Sequence, residues 1–203
     1  MRQEPVGVVA AIVPWNAPSM LTSFKLAPVT DVASPLVVGN PLDPGVHVGP
    51  LVTSRQRQRV ESCIQAGLDE GAKLTTGGGR PTGKDTGWSV DPTVFGEVSN
   101  DATIAREEIF GPVLAVIEYT DEDDAVAIAN DSDYGIAGSV FTTDVERALA
   151  VARRVRTGTF GINGYDPDVG SPFGGVKASG LGRELGPEAL APYLRPKSVY
   201  LPA

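Results

Sequence analysis

The stretch "PVLAVIEY" (residues 112–119) decides the fold class of this chain. It is a short, largely apolar run that begins at the Pro of a Gly-Pro pair, which predicts a buried strand. A second such run, "VGVVAAIV" (residues 6–13), predicts another buried strand. Because each run is too short for an independent helix, both favour strands of a sheet that is covered by helices.

The segments around these runs alternate between helical and extended patterns. Helices are predicted over residues 19–29, 53–68, 121–130 and 144–155 and in a short segment before residue 197. Further strands are predicted over 88–95, 134–143, 158–164 and 197–201. A glycine-rich turn is predicted over 72–79, a glycine-rich loop over 171–185, and a proline-rich loop or series of turns over 30–50. This order predicts an α/β fold with a largely parallel sheet flanked by helices.

Composition excludes several classes of function. The chain has 203 residues, 41% of them hydrophobic, and a net charge of -8 with acids and bases interspersed. No stripe of Lys and Arg exists to neutralise nucleic-acid phosphates. The single Cys and single His (His47) exclude an intramolecular disulfide and leave too few ligands for a Cys/His metal site. Lacking a signal-peptide pattern and a run of ~18 apolar residues, the sequence predicts a cytoplasmic protein without a membrane span.

Cys63, the only thiol, raises the question of a nucleophile. Val60, Ile64 and Leu68 share i, i+4, i+8 spacing and predict the apolar stripe of the helix over 53–68, with Cys63 at its edge. A reactive cysteine needs a lowered pKa from a helix N-terminus, a cation or a base. Cys63 lies in mid-helix with only Arg59 as a candidate cation, so it is predicted to be an apolar filler.

Three short motifs could carry chemistry, and a fourth predicts only a turn. "REEIFGPVL" (106–114) offers two carboxylates at a strand edge, either facing a cleft or solvated in a loop. Asn16 in "VPWNAP" could stabilise an oxyanion or close an Asx turn. Phe173 in "SPFGG" could contact a ligand, or its glycines could only turn the chain. The glycines of "TTGGGR" (75–80) lack the G-x-G-x-x-G spacing and predict a turn.

Taken in order, these motifs resemble one family. "EPVGVVAAIVPWNAP", "VGNPLDP", "EGAKLTTGG", "DPTVF", "REEIFGPVLAVIEY", "SDYGIAGSVFTTD", "GTFGING" and "SPFGGVKASGLGRELG" are similar to landmarks of the NAD(P)-dependent aldehyde dehydrogenases. The resemblance covers nearly the whole chain. It implies the family's catalytic-domain fold, NAD or NADP as cofactor and a small aldehyde as substrate, converted to a carboxylic acid with formation of NAD(P)H.

The resemblance also implies roles for individual residues. Asn16 resembles the oxyanion-hole amide, and Glu108 resembles the carboxylate that binds the nicotinamide ribose. Phe110 is similar to the aromatic beside the nicotinamide ring, and Phe173 to a wall of the aldehyde tunnel. Gln56 matches a contact to the same ribose region. The remaining matches line the cofactor cleft: Ile12, Val13, Pro14 and Trp15.

The resemblance divides the chain into four parts. These are a remnant of the dinucleotide-binding domain (1–30), a loop at a deletion junction (31–50), a catalytic-domain-like α/β unit (51–195) and an oligomerisation-type strand (196–203). Most of the family's cofactor domain, its general-base Glu and its nucleophilic Cys loop have no counterpart here. We therefore expect no turnover by the isolated chain and weak cofactor binding.

An alternative interpretation is non-catalytic. The chain could be a remnant, or a subunit that docks through its C-terminal strand on full-length relatives, forming homo- or hetero-oligomers. The missing units would have covered one face of residues 6–13, so that strand is expected to be poorly protected.

Overall fold

A computed structural model describes residues 9–10, 31–84, 86–194 and 197–201. The chain divides into two units, Met1–Ala125 and Val126–Ala203. The predicted site residues Ile12, Val13, Pro14, Trp15 and Asn16 lie outside the described residues, as does the whole of the predicted helix over 19–29.

The first unit contains a four-stranded sheet. Its strands are β1 (Val9–Ala10), β2 (Lys73–Thr76), β3 (Thr93–Gly96) and β4 (Val113–Ile117), in the order β1-β4-β3-β2. Strand β4 runs parallel to both β1 and β3, with Val116 opposite Val9 and Leu114 opposite Val94. Only β2 is antiparallel. The buried strand and the largely parallel sheet are therefore confirmed.

Two strand predictions need correction. Residues 73–76 were predicted as part of a glycine-rich turn, but they form β2 along the edge of the sheet. The turn begins only at Gly77, whose φ is 74°. The predicted strand over 88–95 is shorter than expected, since β3 begins at Thr93. Pro92 lacks an amide hydrogen and cannot donate to a neighbouring strand, which limits an earlier start.

Helix α1 (Ser54–Asp69) confirms the helix predicted over residues 53–68. The Thr53 hydroxyl caps it by accepting a hydrogen bond from the Gln56 amide at 3.1 Å. Gly71 follows its end with a φ of 87°. Val60, Cys63, Ile64 and Gly67 are buried, whereas Leu68 is 39% exposed. The predicted apolar stripe is thus wrong in its last member, because Gly67 rather than Leu68 faces Ile104.

A one-turn helix, α2 (Thr103–Arg106), was not predicted. Its N-cap residue, Ala102, supplies no side-chain hydrogen bond. Glu70 replaces that cap: its carboxylate accepts from the Thr103 amide at 2.7 Å and from the Thr103 hydroxyl at 2.5 Å. The end of α1 therefore stabilises the start of α2.

The proline-rich segment over 31–50 consists mostly of turns, as predicted. A parallel bridge between Val38 and Val48 closes it. The His47 imidazole serves this turn, since its Nδ1 accepts a hydrogen bond from the Val37 amide at 3.1 Å.

Helix α3 (Glu122–Asn130) spans the boundary between the two units in sequence, and its first turn is acidic as predicted. The second unit pairs β5 (Ala137–Val140) in parallel with β6 (Thr159–Ile162). Helix α4 (Val145–Arg154) connects these strands, capped by the Asp144 carboxylate. The three form a βαβ unit, as the alternation of patterns indicated.

The end of the chain differs from its prediction. A 3-10 helix covers Pro187–Tyr193 where a short helix was expected. Residues 197–201 form no strand, and all five are exposed. Within the described part of the chain no strand pairs with them, and an extended segment without a partner gains no ladder of hydrogen bonds.

Candidate functional site

The loop of residues 107–111, between α2 and β4, carries two of the predicted site residues. Ile109 is buried at 8% exposure and anchors the loop in the core of the first unit. Its neighbours Glu108 and Phe110 are exposed, Phe110 by 73%. Phe110 has a φ of 52°, in the left-handed region that bulky residues rarely adopt. The loop thus presents a carboxylate and an aromatic ring on either side of a buried anchor.

Helix α1 holds this loop by side-chain hydrogen bonds. Gln56 Nε2 donates to the carbonyl of Ile109 at 2.8 Å and to that of Phe110 at 3.0 Å. Arg59 Nη2 donates to the carbonyl of Glu108 at 3.0 Å. The structure therefore brings together three residues that the resemblance placed at the cofactor: Gln56, Glu108 and Phe110.

The two carboxylates of the loop have different surroundings. Glu107 Oε2 lies 3.2 Å from Arg59 Nη2 and forms an ion pair with it. The Glu108 carboxylate makes no ion pair or hydrogen bond with the described residues, and its side chain is exposed. Of the two, Glu108 keeps its full capacity to accept hydrogen bonds from hydroxyl groups of a ligand.

Cys63 is buried in the core of the first unit. It is 8% exposed and packs on the buried face of α1. Burial raises the pKa of its thiol, Arg59 partly counteracts this, and the Glu107 carboxylate raises it further. A raised pKa disfavours the thiolate, the reactive form of a cysteine, and the predicted structural role of Cys63 stays a prediction.

Phe173 belongs to the second unit. Its backbone pairs with Glu184, each amide donating to the other's carbonyl at 2.7 Å. It borders two grooves, of about 380 and 470 Å³, each lined by a mixture of glycine, polar and apolar residues. Arg183 Nη1 donates to the carbonyls of Gly175 and Gly182 at 2.7 and 2.9 Å. The guanidinium thus stabilises the glycine-rich loop over 171–185, and Phe173 forms a wall of both grooves.

Sequence reasoning missed the function of Arg59 in the loop, since it considered this residue only as a neighbour of Cys63. The i, i+3 spacing of Gln56 and Arg59, which places two long donors on one helix face, was the available signal. In residues 9–10, 31–84, 86–194 and 197–201, no cluster of three or more His, Cys, Asp or Glu side chains could hold a metal ion. The helices in those same ranges are each too short or too polar to cross a bilayer.

Comparison with known proteins identifies the class of this fold. The sequence model described as the Aldehyde dehydrogenase family matches residues 1–30 and 29–199. The chain therefore belongs to the aldehyde dehydrogenase family. It is 54% identical over 173 residues to a geranial dehydrogenase from Castellaniella defragrans, covering 85% of this chain and 36% of that protein.

Solved structures agree. An aldehyde dehydrogenase from Mycobacterium tuberculosis complexed with NAD+ superimposes with a TM-score of 0.89 at 52% identity, covering 96% of this chain and 39% of the other. A mutant of aldehyde dehydrogenase C from Pseudomonas syringae, in complex with NAD+ and octanal, superimposes with a TM-score of 0.85 at 43% identity. This match covers 92% of this chain and 38% of the other. The chain thus spans little more than a third of the length of these relatives, and the two segments matched by the family model meet at residues 29 and 30.

Proposed function

We propose that this chain derives from an NAD(P)-dependent aldehyde dehydrogenase, keeps the loop that faces the nicotinamide ribose, and does not oxidise aldehydes by itself. The observation that carries the proposal is the position of Cys63, the only cysteine in the sequence, on the buried face of α1.

The reaction needs a sulfur nucleophile. A thiolate attacks the aldehyde carbon, hydride then leaves for the nicotinamide, and an activated water hydrolyses the thioester. Burial raises the pKa of Cys63 and excludes a carbonyl substrate from its sulfur. If Asn16 donates to an oxyanion, that bond stabilises the transition state by ~2.7–4 kcal/mol. It cannot replace the missing attacking group, because such residues act as a unit.

The residues of the 107–111 loop fit one end of the cofactor. The unpaired Glu108 carboxylate would accept hydrogen bonds from ribose hydroxyls, and the exposed Phe110 ring would lie against the nicotinamide. When bound, NAD or NADP would supply the hydride acceptor. A single charge-assisted hydrogen bond contributes ~1.5–3 kcal/mol, against the ~8 kcal/mol needed for micromolar affinity. We expect the isolated chain to bind the dinucleotide only weakly.

A second function, docking on full-length relatives, is favoured by the segment over 197–201. Val199, Tyr200 and Leu201 are 73, 90 and 85% exposed. Within the described residues they form no strand with another segment. An extended apolar segment of this kind can add a strand to the edge of another subunit's sheet. Under this proposal the chain is a non-catalytic subunit of a homo- or hetero-oligomer.

One assay tests the first proposal. The purified chain is mixed with NAD+ or NADP+ and with geranial or octanal, the aldehydes named for its relatives. Formation of reduced nicotinamide is followed by absorbance, with a full-length relative as positive control. We expect no signal above that of the Cys63→Ala variant. Turnover that disappears in Cys63→Ala would overturn the proposal.

A sedimentation experiment tests the second. The chain is mixed with a full-length relative and compared with a chain truncated after residue 194. If the intact chain sediments together with the full-length relative and the truncated chain does not, the result supports docking through the C-terminal segment. Equal behaviour of both chains rejects it.

A further inference from the structure

We propose that Gln56 and Arg59 are positioning residues that fix the 107–111 loop before any ligand arrives. The ligand assigned to this loop rests on the proposed function, but the positioning itself rests only on contacts within the first unit. The two side chains project from one turn of α1 and bind three successive backbone carbonyls, those of Glu108, Ile109 and Phe110.

The Gln56 amide acts on the backbone torsions of Phe110. The Ile109 and Phe110 carbonyls belong to the two peptide planes on either side of the Phe110 Cα, and both accept from the same nitrogen, Gln56 Nε2. Binding two adjacent planes to one atom fixes their relative rotation, and with it the φ of 52° at Phe110. A phenylalanine stays in this disfavoured region only where its surroundings over-determine it.

Both hydrogens of the Gln56 amide are engaged by these two carbonyls. Only its oxygen remains to accept from a ligand hydroxyl. The residue therefore acts on the cofactor mainly through Phe110 rather than by donating to it.

Arg59 determines which carboxylate of the loop is available. Its Nη2 binds the Glu107 carboxylate and the Glu108 carbonyl together, at 3.2 and 3.0 Å. This engages one oxygen of the Glu107 carboxylate, Oε2, and fixes the backbone from which the Glu108 carboxylate projects. Without Arg59, two neighbouring carboxylates would compete for the same hydroxyl donors.

The test uses nuclear magnetic resonance on the full chain and needs no ligand. A positive φ gives a strong intraresidue NOE between the amide hydrogen and Hα. Glu97, with a φ of 53°, is an internal reference in the same unit. The variants are Gln56→Met and Arg59→Met. The matched controls are Gln58→Met and Arg55→Met, exposed positions of α1 without a hydrogen bond or ion pair to the described residues.

We expect Gln56→Met to weaken the NOE at Phe110 and leave that at Glu97 unchanged. Exchange of the Val113 amide, which donates to Gly111 at 2.8 Å, should accelerate about tenfold, the effect of losing about 1.4 kcal/mol of local stability. Arg59→Met should shift the Glu107 carboxyl carbon resonance, and Arg59→Lys should restore it in part. Equal changes at Phe110 and Glu97, or none at either, would overturn the proposal.

A measurement on the unaltered chain covers the case in which Gln56→Met does not fold. The side-chain amide hydrogens of Gln56 should exchange at least tenfold more slowly than those of Gln58 and should show NOEs to the Phe110 and Gly111 amides. Equal exchange of the two glutamines would refute the positioning role. Titration with nicotinamide mononucleotide then tests the ligand separately: shifts at Glu108 and Phe110 support the assignment, whereas their absence rejects the ligand and leaves the positioning result intact.

Discussion

Gly111 lies directly against Val60 of helix α1. A Cβ at position 111 would approach Val60 Cγ2 to 2.5 Å, closer than carbon atoms can pack. Val60 is fully buried and cannot move aside without disturbing the core. This contact places the 107–111 loop close enough to α1 for Gln56 and Arg59 to reach its carbonyls.

Replacement of Gly111 by alanine should therefore destabilise the first unit by about 1–3 kcal/mol, because the added methyl group overpacks the core. Urea unfolding measures this change. Gly79→Ala is the matched control, since a Cβ there meets nothing within 4 Å. The control should change the free energy of unfolding by less than about 0.5 kcal/mol. Equal effects of the two variants would contradict the contact.

Cys63 should react slowly with iodoacetamide in the native chain and rapidly in urea, since its sulfur is buried and burial raises its pKa. A raised pKa in the folded state also links stability to pH. The contribution is fully present below the pKa of the unfolded thiol, about 8.5, and is lost as pH rises through the folded value. Cys63→Ala should remove this loss of folding stability at alkaline pH. Rapid alkylation of the native protein would argue against a closed site.

Glu61 should contribute to the loss of folding stability at acid pH. The hydrogen bond from Arg80, at 2.6 Å, lowers the pKa of its carboxyl group, burial opposes this, and the charges of Arg80 and Arg57 support it. The stabilisation is present above the unfolded pKa, near 4.5, and is lost as pH falls through the folded value. Glu61→Gln should lower stability at neutral pH and flatten its acid dependence, measured as urea midpoints against pH. Glu118→Gln, at an exposed position, should leave the curve unchanged.

Lys177 should stabilise the second unit through the end of α3. Its Nζ donates to the carbonyls of Asn130 and Ser132, both at 2.8 Å. Lys177→Met leaves these acceptors unpaired and should cost about 2 kcal/mol, the range for a hydrogen bond to a charged group. Lys197→Met, at an exposed position, is the control. Denaturant unfolding that shows no difference between them would refute the capping role.

Local patterns predicted the elements whose causes are local. The apolar run over 112–119 predicted β4, and the helical patterns over 53–68 and 144–155 predicted α1 and α4, which Thr53 and Asp144 cap in the structure. Where a contact between residues far apart in the sequence determines the start or the buried face of a helix, the prediction was wrong or absent. Helix α2 begins at Thr103 because Glu70 caps it from far along the chain, and Gly67 faces inward because Ile104 packs on it.

The candidate site likewise has features that the sequence could predict and features that depend on contacts between distant segments. Motif resemblance implied that Glu108 and Phe110 contact the nicotinamide end of the cofactor, and the structure exposes both side chains on one loop. The left-handed backbone of Phe110 and the bonds from Gln56 could not be predicted, since they depend on how α1 packs on the loop. The assigned roles of Asn16, Glu108, Phe110 and Phe173 stay predictions.

The pairing of β1 with β4 affects the order in which the first unit can form. Val9 and Val116 are partners although 116 − 9 = 107 positions separate them. On the ribosome, the β1 strand emerges first and must wait until β4 has left the exit tunnel. Closing so long a loop is entropically costly and slow. During translation Val9 and Ala10 therefore have no partner strand until β4 has been made, and unpaired strands of this kind favour aggregation.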